Sequence, residues 1–511
     1  MSVPPMPRPI RVPPISLVKL VEQLPEAPLS VIGNATEAFV TGVAQASAAV
    51  TPGDLYLALP GARTHGAAFI TDAAARGAVA VLTDPVGARR ITVDAAELPV
   101  LVVPDPRQVA GPVAAAIFDR PSNKLRVVGI TGTNGKTTTA HLTDAILREL
   151  GDETALLGTV HTRIGEQLLP SVRTTPEATQ LQALLAIAVE RGLGTVVMET
   201  SSHALALGRV EGVHFTIGAF TNLSVDHLDF HANLEDYFAA KAQLFDGRCD
   251  QEIVTVDDEA GRRLTKPATV TVSTVDATAN WTAGEIRADG YGQRFTLGSP
   301  DGRFQPTRLG LPGEFNVSNG LLAVAIAVTL GAELTDAVAA LERVPGVPGR
   351  MEHVGAADLP IATVVDYAHT PDGVVKALAA LRGVTRGRLI CVLGCGGDRD
   401  TGKRPLTGAA AARGADLFVA TDDNPRSEAP ELIRAAMLAG ARTVVGAGRI
   451  GEVVEIGDRA EAIDYAVRAA VPGDTVAVLG KGHEQGQEIA GVNYPFDDRE
   501  VLTKVLMEVY G

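Results

Sequence analysis

The residues best suited to chemistry form one stretch, Gly-Thr-Asn-Gly-Lys-Thr-Thr at positions 132–138. An apolar run precedes it and apolar residues at helical spacing follow it, which predicts a strand, a loop and a helix. The two glycines would let backbone N–H groups face anionic oxygens, and the helix N-terminus would add its positive dipole end. Lys136 would reach β- and γ-phosphates, and the Thr137 hydroxyl would bind Mg²⁺.

We therefore predict that this loop binds ATP. The match is a compressed variant, because Ile130 stands where the usual pattern has its first glycine, and the alternative is an ordinary turn with a surface lysine. The candidate ATP-binding residues of the loop are Gly132, Thr133, Asn134, Gly135, Lys136, Thr137 and Thr138.

Ionisable residues recur along the segment that follows the loop. Glu199 ends an apolar strand at 195–199, where phosphate-loop enzymes place an acid for the metal, although acids at strand ends are common. Two Asp and two His, among them His227, fall within residues 226–231. Lys241 lies among apolar residues of a helical pattern, and a snorkelling surface lysine is the simpler interpretation. Asn316 opens a later helix as either a cap or a base-contacting amide.

The C-terminal third repeats strand and helix, with predicted strands at 363–366, 389–393, 417–420 and 475–479. A polar loop follows each of several strands, and one of them is Asp422-Asp-Asn-Pro-Arg426. Parallel sheets bind ligands at the carboxyl ends of their strands. These loops are therefore predicted to converge on one ligand site.

Length and composition limit the number of domains and the classes of protein that the chain can belong to. At 511 residues the chain should form about three domains. We expect a poorly ordered, proline-rich leader at 1–29, followed by domains at 30–122, 123–347 and 348–511. The net charge of −15 argues against nucleic-acid binding. No apolar run is long enough to span a membrane, and the three cysteines fit a reducing cytosol, so we expect a cytoplasmic protein without membrane insertion.

Taken together, these motifs closely resemble the Mur ligase family, ATP-dependent amide-bond ligases of peptidoglycan precursor synthesis. The resemblance covers nearly the whole chain from about residue 30, and the motifs occur in the family's order. It implies three α/β domains: a small one that binds the UDP substrate, a central ATPase-type parallel sheet with the phosphate loop, and a Rossmann-like one that binds an amino acid. In this chemistry ATP converts a carboxylate to an acyl phosphate, which the amine of the amino acid attacks.

The resemblance also implies roles for residues that were ambiguous alone. Lys136, Glu199, His227 and Lys241 would be catalytic. Two Mg²⁺ ions would be held by Thr137, Glu199, His227 and Lys241, the last as a carbamate formed from CO₂. An apolar setting would lower the pKa of Lys241 and allow that modification. The further ATP-binding residues would be Asn316, Arg350 and Asp366.

Within the family, the pattern is similar to members that add meso-diaminopimelate to UDP-N-acetylmuramoyl-L-alanyl-D-glutamate, with L-lysine as the alternative amino acid. The UDP-MurNAc-dipeptide would bind at Ser47, Thr174, Thr175, Ser201 and Arg209. The chain departs from the family at Leu207, where relatives carry glutamine, and at Arg173, where they carry asparagine. The diaminopimelate would bind at Arg399, Asp423, Asn424, Pro425, Arg426, Gly480 and Glu484, with Arg426 holding the distal carboxylate.

Two other classes of protein compete with the ligase. A phosphotransferase or regulatory ATPase would share the loop, but the 221–231 cluster and the elaborate third domain disfavour it. A nucleotide-binding module without chemistry is disfavoured by the intact Lys136, Glu199, His227 and Lys241. For the ligase we expect small-molecule substrates only and a monomeric chain.

Overall fold

The computed structural model describes residues 7–24, 27–61, 64–91, 98–169, 171, 173–356, 358–398, 400–445 and 451–511. The chain divides into two compact units. The first comprises Met1–Thr131, Gly151–Ala219 and Ala239–Glu252, and the second comprises Gly132–Leu150, Phe220–Phe238 and Ile253–Gly511. Among the described residues, no helix combines the length and the apolar character needed to cross a bilayer.

The strands, in chain order, are β1 (Ile15–Ser16), β2 (Ser30–Ile32), β3 (Phe39–Val40), β4 (Gly42–Ala44), β5 (Asp54–Ala58), β6 (Ala80–Thr83), β7 (Val100–Val102), β8 (Arg126–Thr131), β9 (Thr154–Leu157), β10 (Thr162–Ile164), β11 (Gln167–Leu169), β12 (Thr195–Glu199), β13 (Phe215–Phe220), β14 (Cys249–Thr255), β15 (Val270–Ser273), β16 (Trp281–Asp289), β17 (Gly292–Gly298), β18 (Phe304–Leu309), β19 (Glu352–His353), β20 (Ala362–Asp366), β21 (Leu389–Leu393), β22 (Leu417–Ala420), β23 (Glu452–Glu455), β24 (Thr475–Leu479), β25 (Gly486–Ile489) and β26 (Val492–Pro495).

The helices are α1 (Leu17–Glu22), α2 (Ile70–Ala75), α3 (Pro85–Ala88), α4 (Pro106–Ile117), α5 (Lys136–Glu149), α6 (Ala178–Glu190), α7 (Ser202–Ala206), α8 (Leu234–Ala242), α9 (Glu259–Leu264), α10 (Glu314–Thr329), α11 (Leu334–Arg343), α12 (Pro371–Arg382), α13 (Lys403–Gly414), α14 (Pro430–Val445), α15 (Arg459–Ala469) and α16 (Asp498–Tyr510).

Two sheets organise the first unit. One has the order β2-β7-β6-β5-β4, with β4 to β7 parallel. The other set of strands has the order β11-β10-β9-β12-β8-β13, in which β9, β12 and β8 are parallel. Glu199 at the end of β12 lies in register with Ile130 near the end of β8. The phosphate loop therefore begins at the carboxyl edge of a parallel sheet, where ligands bind.

The second unit carries strands β15-β16-β17-β18 and a six-stranded sheet in the order β19-β20-β24-β21-β22-β23. All neighbours from β20 to β23 are parallel. Alternate residues of its strands face two apolar cores, since Ala477 and Leu479 join one cluster while Val476 and Val478 join the other. Burial on both faces explains why these strands read as continuous apolar runs. The predicted α/β class and parallel order are confirmed here.

The expectation of a poorly ordered leader is wrong for residues 7–24. Strand β1 pairs with β3, and Leu17 and Leu20 of helix α1 are fully buried in the core of the first unit. The preceding proline-rich segment is held by Arg8, whose guanidinium donates to Asp54 Oδ1 and Thr51 Oγ1, both at 2.7 Å. Prolines disfavour regular structure but allow an extended chain fixed by hydrogen bonds, and sequence composition alone misses such contacts.

A buried ion pair holds the second unit together beside its sheet. Arg459 at the start of α15 and Asp498 at the start of α16 are both fully buried, and their side chains form two hydrogen bonds of 2.7 Å. The guanidinium also donates to the carbonyl of Leu479 at 2.9 Å. Because all these groups are withdrawn from water, loss of one partner would leave the other charge uncompensated.

We predict that Arg459→Met lowers the free energy of unfolding by about 3–5 kcal/mol, since Asp498 would remain charged and buried. Urea denaturation would measure the loss. Arg468→Ala, which removes a guanidinium that is 51% exposed, serves as the control and should change the free energy by about 0–1 kcal/mol. Equal losses in the two variants would contradict the assignment.

Candidate functional site

The phosphate loop has the geometry of an anion cradle. Gly132 and Gly135 have φ of 146° and 89°, values that side-chain-bearing residues rarely adopt. Gly135 is also the N-cap of α5, where it brings no side chain into the path of the helix N–H groups. Lys136 folds back over the loop and donates to the carbonyls of Gly132 at 2.9 Å and Thr133 at 2.8 Å. Its ammonium group is thus held against the backbone of the loop.

Residues 221–224 brace this loop from beside it. The N–H of Thr133 donates to the Asn222 carbonyl at 2.8 Å, and the N–H of Asn134 donates to Asn222 Oδ1 at 3.0 Å. The Thr221 hydroxyl donates to the Asn134 carbonyl at 2.6 Å. A Cβ on Gly132 would lie 1.9 Å from Thr221 Oγ1, so the close approach itself requires glycine. These contacts and the glycine at position 132 fix the shape of the loop.

A cavity of about 390 Å³ opens beside the loop. This volume lies within the range of about 300–1,000 Å³ that is typical of small-molecule sites. Among the residues that line it are Asn134, Gly135, Thr138, Asn316, Asn319, Arg350, Asp366 and His369. Three of the seven predicted ATP-binding residues of the loop thus line the same cavity of the second unit as the three predicted in later segments.

Of the two interpretations of Asn316, the helix cap is wrong and the base-contacting amide stays a prediction. Gly313 is the N-cap of α10, so Asn316 lies inside the first turn and does not cap it. Its Nδ2 donates to the Pro312 carbonyl at 2.8 Å, and its Oδ1 accepts from Asn319 at 3.1 Å. Asn319 Oδ1 in turn accepts from Thr139 of α5 at 3.4 Å. The buried amides connect the cavity wall to the phosphate-loop helix.

Arg350 and Lys376 are cations that line the cavity, and Arg350 contacts the phosphate-loop helix. Arg350 donates to Thr137 Oγ1 at 3.1 Å, and its guanidinium carbon lies 4.5 Å from the centroid of the Tyr367 ring. Asp366 is buried and accepts the N–H groups of Met351 at 2.7 Å and Ala368 at 2.8 Å. Burial raises the pKa of Asp366, while Arg350 and these N–H donors oppose that shift.

His227 adopts a left-handed backbone conformation with φ of 56°. Its Nε2 lies 3.5 Å from Asp226 Oδ2, and its ring packs edge-on against Tyr237 with centroids 6.0 Å apart. Burial acts to raise the pKa of Asp226, but His227, His369 and Lys403 together hold it below its ordinary value. An ionised Asp226 would keep the His227 ring oriented, a role that sequence reasoning did not assign.

In the first unit, Glu199 is buried and fixed at the end of β12. It accepts from the N–H of Thr159 at 2.7 Å and from the Thr159 hydroxyl at 3.1 Å. The same hydroxyl contacts Thr174 Oγ1 at 3.1 Å, and the Thr175 hydroxyl donates to the Glu199 carbonyl at 2.9 Å. Ser201 Oγ lies 3.3 Å from Thr175 Oγ1. Three of the predicted substrate residues thus cluster at the strand end that carries Glu199.

Arg209 lies beside this cluster with a side chain only 13% exposed. Its Nη2 is 3.0 Å from Glu177 Oε1, and burial lowers its pKa while Glu177 opposes the shift. Its Nε has no hydrogen-bond partner among the described residues. Ser47 lies elsewhere in this unit and hydrogen-bonds Asp72, which holds the pKa of that carboxyl below its ordinary value.

Lys241 is 1% exposed on helix α8. The interpretation of it as a snorkelling surface lysine is therefore wrong.

Side chains from the loops after β22 and β24 form a second polar cluster in the second unit. Asn424 Nδ2 donates to Glu484 Oε2 at 2.9 Å, and Lys481 Nζ donates to Asn424 Oδ1 at 3.0 Å. Arg426, with φ of 53°, donates to the Gly397 carbonyl at 2.6 Å. Its Nε lies 3.5 Å from Glu488 Oε2. Lys481 and Glu488 were not predicted, although Lys481 sits inside the loop that supplied Gly480 and Glu484.

The remaining predicted members of this group are placed as follows. Asp423 and Pro425 are buried in the loop after β22, and the N–H of Gly480 donates to the Asp366 carbonyl at 3.0 Å. Arg399 lies outside the described residues. The structure therefore brings together all the predicted amino-acid ligands that it describes.

Family comparisons match three consecutive parts of the chain: the Mur ligase family catalytic domain at residues 39–117, the Mur ligase middle domain at 130–327, and the Mur ligase glutamate ligase domain at 349–482.

Proteins related in sequence match this chain over nearly its full length. A Streptomyces coelicolor protein named UDP-N-acetylmuramoyl-L-alanyl-D-glutamate–2,6-diaminopimelate ligase is 51% identical over 516 residues, covering 100% of both chains. A protein of the same name from Synechococcus elongatus is 42% identical over 500 residues, covering 97% of this chain and 99% of that one. A solved structure under this name is 32% identical, with a TM-score of 0.68 over 98% of this chain and 100% of the other. With three matching domains and relatives that match from end to end, the chain belongs to the Mur ligase family.

Proposed function

We propose that the chain is an ATP-dependent ligase that adds meso-diaminopimelate to UDP-N-acetylmuramoyl-L-alanyl-D-glutamate in peptidoglycan precursor synthesis. The observation that carries the choice of amino acid is that Arg426 shares the loop after β22 with Asp423, and that Asn424 of this loop is hydrogen-bonded to Glu484 of the loop after β24. An arginine offers a two-point contact to a carboxylate, and the acids accept an ammonium. Diaminopimelate carries both groups at its distal end.

L-lysine is not favoured as the amino acid. It lacks the distal carboxylate, so it would leave Arg426 without its ligand partner in a pocket where that side chain is only 24% exposed. The relatives at 51% and 42% identity both carry diaminopimelate in their names.

The first step brings an anionic carboxylate to the anionic phosphates of ATP. The residues of the site therefore act mainly by neutralising charge and by holding the substrates in position. A carboxylate oxygen of the dipeptide attacks the γ-phosphorus of ATP, and the bond between that phosphorus and the β,γ-bridging oxygen breaks. ADP departs, and the dipeptide now carries an acyl phosphate. The amine of diaminopimelate then attacks the acyl carbon, loses a proton and expels phosphate. In this scheme Lys136 and Arg350 bind phosphate oxygens, and the cradle N–H groups orient them.

The donors available fit Mg²⁺. Thr137 offers a hydroxyl, Glu199 a carboxylate and His227 an imidazole, and among the described residues no three acidic, histidine or cysteine side chains gather as a complete metal cage. Mg²⁺ typically binds through one or two protein groups together with substrate phosphates. When bound, it would neutralise charge on the β- and γ-phosphates. Two such ions, with a carbamate on Lys241 as an oxygen ligand, complete the proposed site.

The proposal extends to the organisation of the chain. Residues 30–122 bind the UDP substrate, 123–347 bind ATP and carry the chemistry, and 348–511 bind the amino acid. The protein acts in the cytoplasm as a monomer.

Amine-dependent phosphate release would test the proposed function. Phosphate should appear only when ATP, the muramoyl dipeptide and meso-diaminopimelate are all present, and L-lysine should substitute poorly. A phosphotransferase would instead give a phosphorylated product without the amine, and that result would exclude the ligase.

We predict that Gly135→Ala raises the KM for ATP at least about tenfold, because its Cβ would lie 2.3 Å from Asn319 Oδ1 and distort the cradle. Gly151→Ala is the matched control. Gly151 has φ of 90° but nothing within 4 Å of its Cβ position. Both variants should lose about 1–2 kcal/mol of stability from the left-handed backbone, and only the first should lose ATP affinity. An unchanged KM for ATP in Gly135→Ala would refute the prediction.

We predict that Lys241→Ala lowers kcat about a hundredfold and that a short-chain carboxylate such as formate partly restores it, because it can supply the missing oxygen ligand. The exposed Lys266→Ala is the control and should be fully active. Carbon-13 NMR of the wild type in labelled bicarbonate should show a carbamate signal that Lys241→Ala lacks. Full activity of Lys241→Ala without additive would exclude this role.

We predict that Arg426→Ala raises the KM for meso-diaminopimelate by about tenfold to a hundredfold and leaves the KM for ATP unchanged, because a charge-assisted contact is lost only in the amino-acid pocket. Arg426→Lys should give an intermediate value, since it keeps the charge but not the planar fork. The surface variant Arg468→Ala provides the baseline. Selectivity would lie elsewhere if Arg426→Ala used diaminopimelate as the wild type does.

A further inference from the structure

We infer that Lys481 is a positioning residue of the amino-acid pocket. It holds Asp423, Asn424 and Glu484 in place and contributes one positive charge beside the two carboxylates. The chemical class of the ligand, an amino acid bearing an ammonium and two carboxylates, rests on the proposed function. The arrangement of the side chains is independent of the proposed function.

The ammonium of Lys481 is completely buried, with a side-chain exposure of 0%. It has three acceptors, namely Asn424 Oδ1 at 3.0 Å, Asp423 Oδ1 at 3.3 Å and Glu484 Oε2 at 3.4 Å. A lysine carries three N–H donors and no acceptor, so these contacts match its full capacity. Such a lysine cannot reach a substrate without giving up a partner, which separates it from the ligand-binding residues around it.

The contacts of Lys481 join two loops. Asp423 and Asn424 follow β22, whereas Lys481 and Glu484 follow β24. Asn424 strengthens the junction, because its Nδ2 donates to Glu484 Oε2 at 2.9 Å and its Oδ1 accepts the N–H of Glu488 at 3.0 Å. Both ends of the Asn424 amide are thus engaged within the cluster. Its part in amino-acid binding is to hold Glu484.

Backbone geometry turns Lys481 inward. It is flanked by Gly480 and Gly482, with φ of 109° and 56°. A Cβ on Gly482 would lie 2.7 Å from the Gly349 carbonyl oxygen, so this close turn excludes a side chain. Glycine on each side lets a single buried lysine sit between strand end and loop.

The charges of the cluster do not cancel. Asp423 and Glu484 supply two negative charges and Lys481 one positive charge, which leaves one negative charge for a ligand ammonium. Arg459 also acts on this region, but its guanidinium is paired with Asp498. Tyr367 faces Glu484 and Asp423 as a neutral phenol, because burial raises its pKa. Without Lys481 the two carboxylates would repel each other across a poorly hydrated space.

The consequence concerns Glu484. Burial and Asp423 raise its pKa, while Lys481 and Asn424 oppose that shift. Removal of the Lys481 charge would raise the pKa of Glu484 further, so Glu484 would take up a proton as the pH falls. A neutral Glu484 accepts an ammonium poorly. Amino-acid affinity would then weaken at low pH and recover as the pH rises.

The test compares Lys481→Gln and Lys481→Arg with the wild type. Glutamine keeps a hydrogen-bond donor without the charge, and arginine keeps the charge. The KM values for meso-diaminopimelate and for ATP would be measured between pH 6.5 and 8.5, together with the melting temperature. Lys504→Gln, a lysine with 79% side-chain exposure, is the control.

We expect Lys481→Gln to raise the KM for meso-diaminopimelate at least about tenfold at pH 7, with recovery toward pH 8.5 and an ATP KM within about twofold of the wild type. Lys481→Arg should keep a flat pH profile and regain much of the affinity.

A Lys481→Gln enzyme with a wild-type KM and a flat profile would overturn the inference. So would equal rises in both KM values accompanied by a lower melting temperature, since they would indicate a purely structural role. If the wild type itself showed no phosphate release dependent on meso-diaminopimelate, the proposed function would fail instead. Because this last result concerns the wild type alone, the two failures are distinguishable.

Discussion

Negative charge is the constraint on which the rest of this structure depends. The chain carries a net charge of −15, yet ATP and a UDP-linked peptide are anions, and the amino acid brings two carboxylates along with its ammonium groups. Long-range attraction cannot bring them together, so each site must supply its own positive potential. The phosphate loop does so with backbone N–H groups, a helix N-terminus and Lys136. Arg350, Arg209 and Arg426 provide further cations, each at a different predicted subsite.

Cations that are shielded from solvent need partner groups in the protein, and both Arg209 and Arg426 have such partners. Arg209 lies against Glu177, and Arg426 donates to the Gly397 carbonyl beside Glu488. In each case a ligand carboxylate or phosphate would meet a guanidinium whose direction is already set. Preorganised charge of this kind lowers the reorganisation needed when charge develops on a reacting group.

Left-handed backbone recurs where ligands are expected. Gly132 and Gly135 adopt it in the phosphate loop, and so do His227 and Arg426, which carry side chains. Strained residues persist only where surrounding contacts fix them. For Arg426 those contacts are two backbone hydrogen bonds, its N–H to the Glu488 carbonyl at 2.9 Å and its carbonyl from Ala490 at 2.6 Å. These hydrogen bonds hold the left-handed backbone of Arg426, so contacts with the neighbouring loop set the direction of its side chain and local propensity does not.

The sequence by itself determined the features that depend on neighbours along the chain. The apolar runs predicted strands β21, β22 and β24, and the glycine spacing predicted the phosphate loop, because burial on both faces and positive φ angles leave local signatures. Contacts between distant residues left no such signature. Tertiary structure alone decided that Arg8 fixes the leader to Asp54, that Lys241 is buried, and that Lys481 lies between two carboxylates. Burial and pairing depend on which segments fold against one another, and in a single sequence a buried lysine and a solvated one look the same.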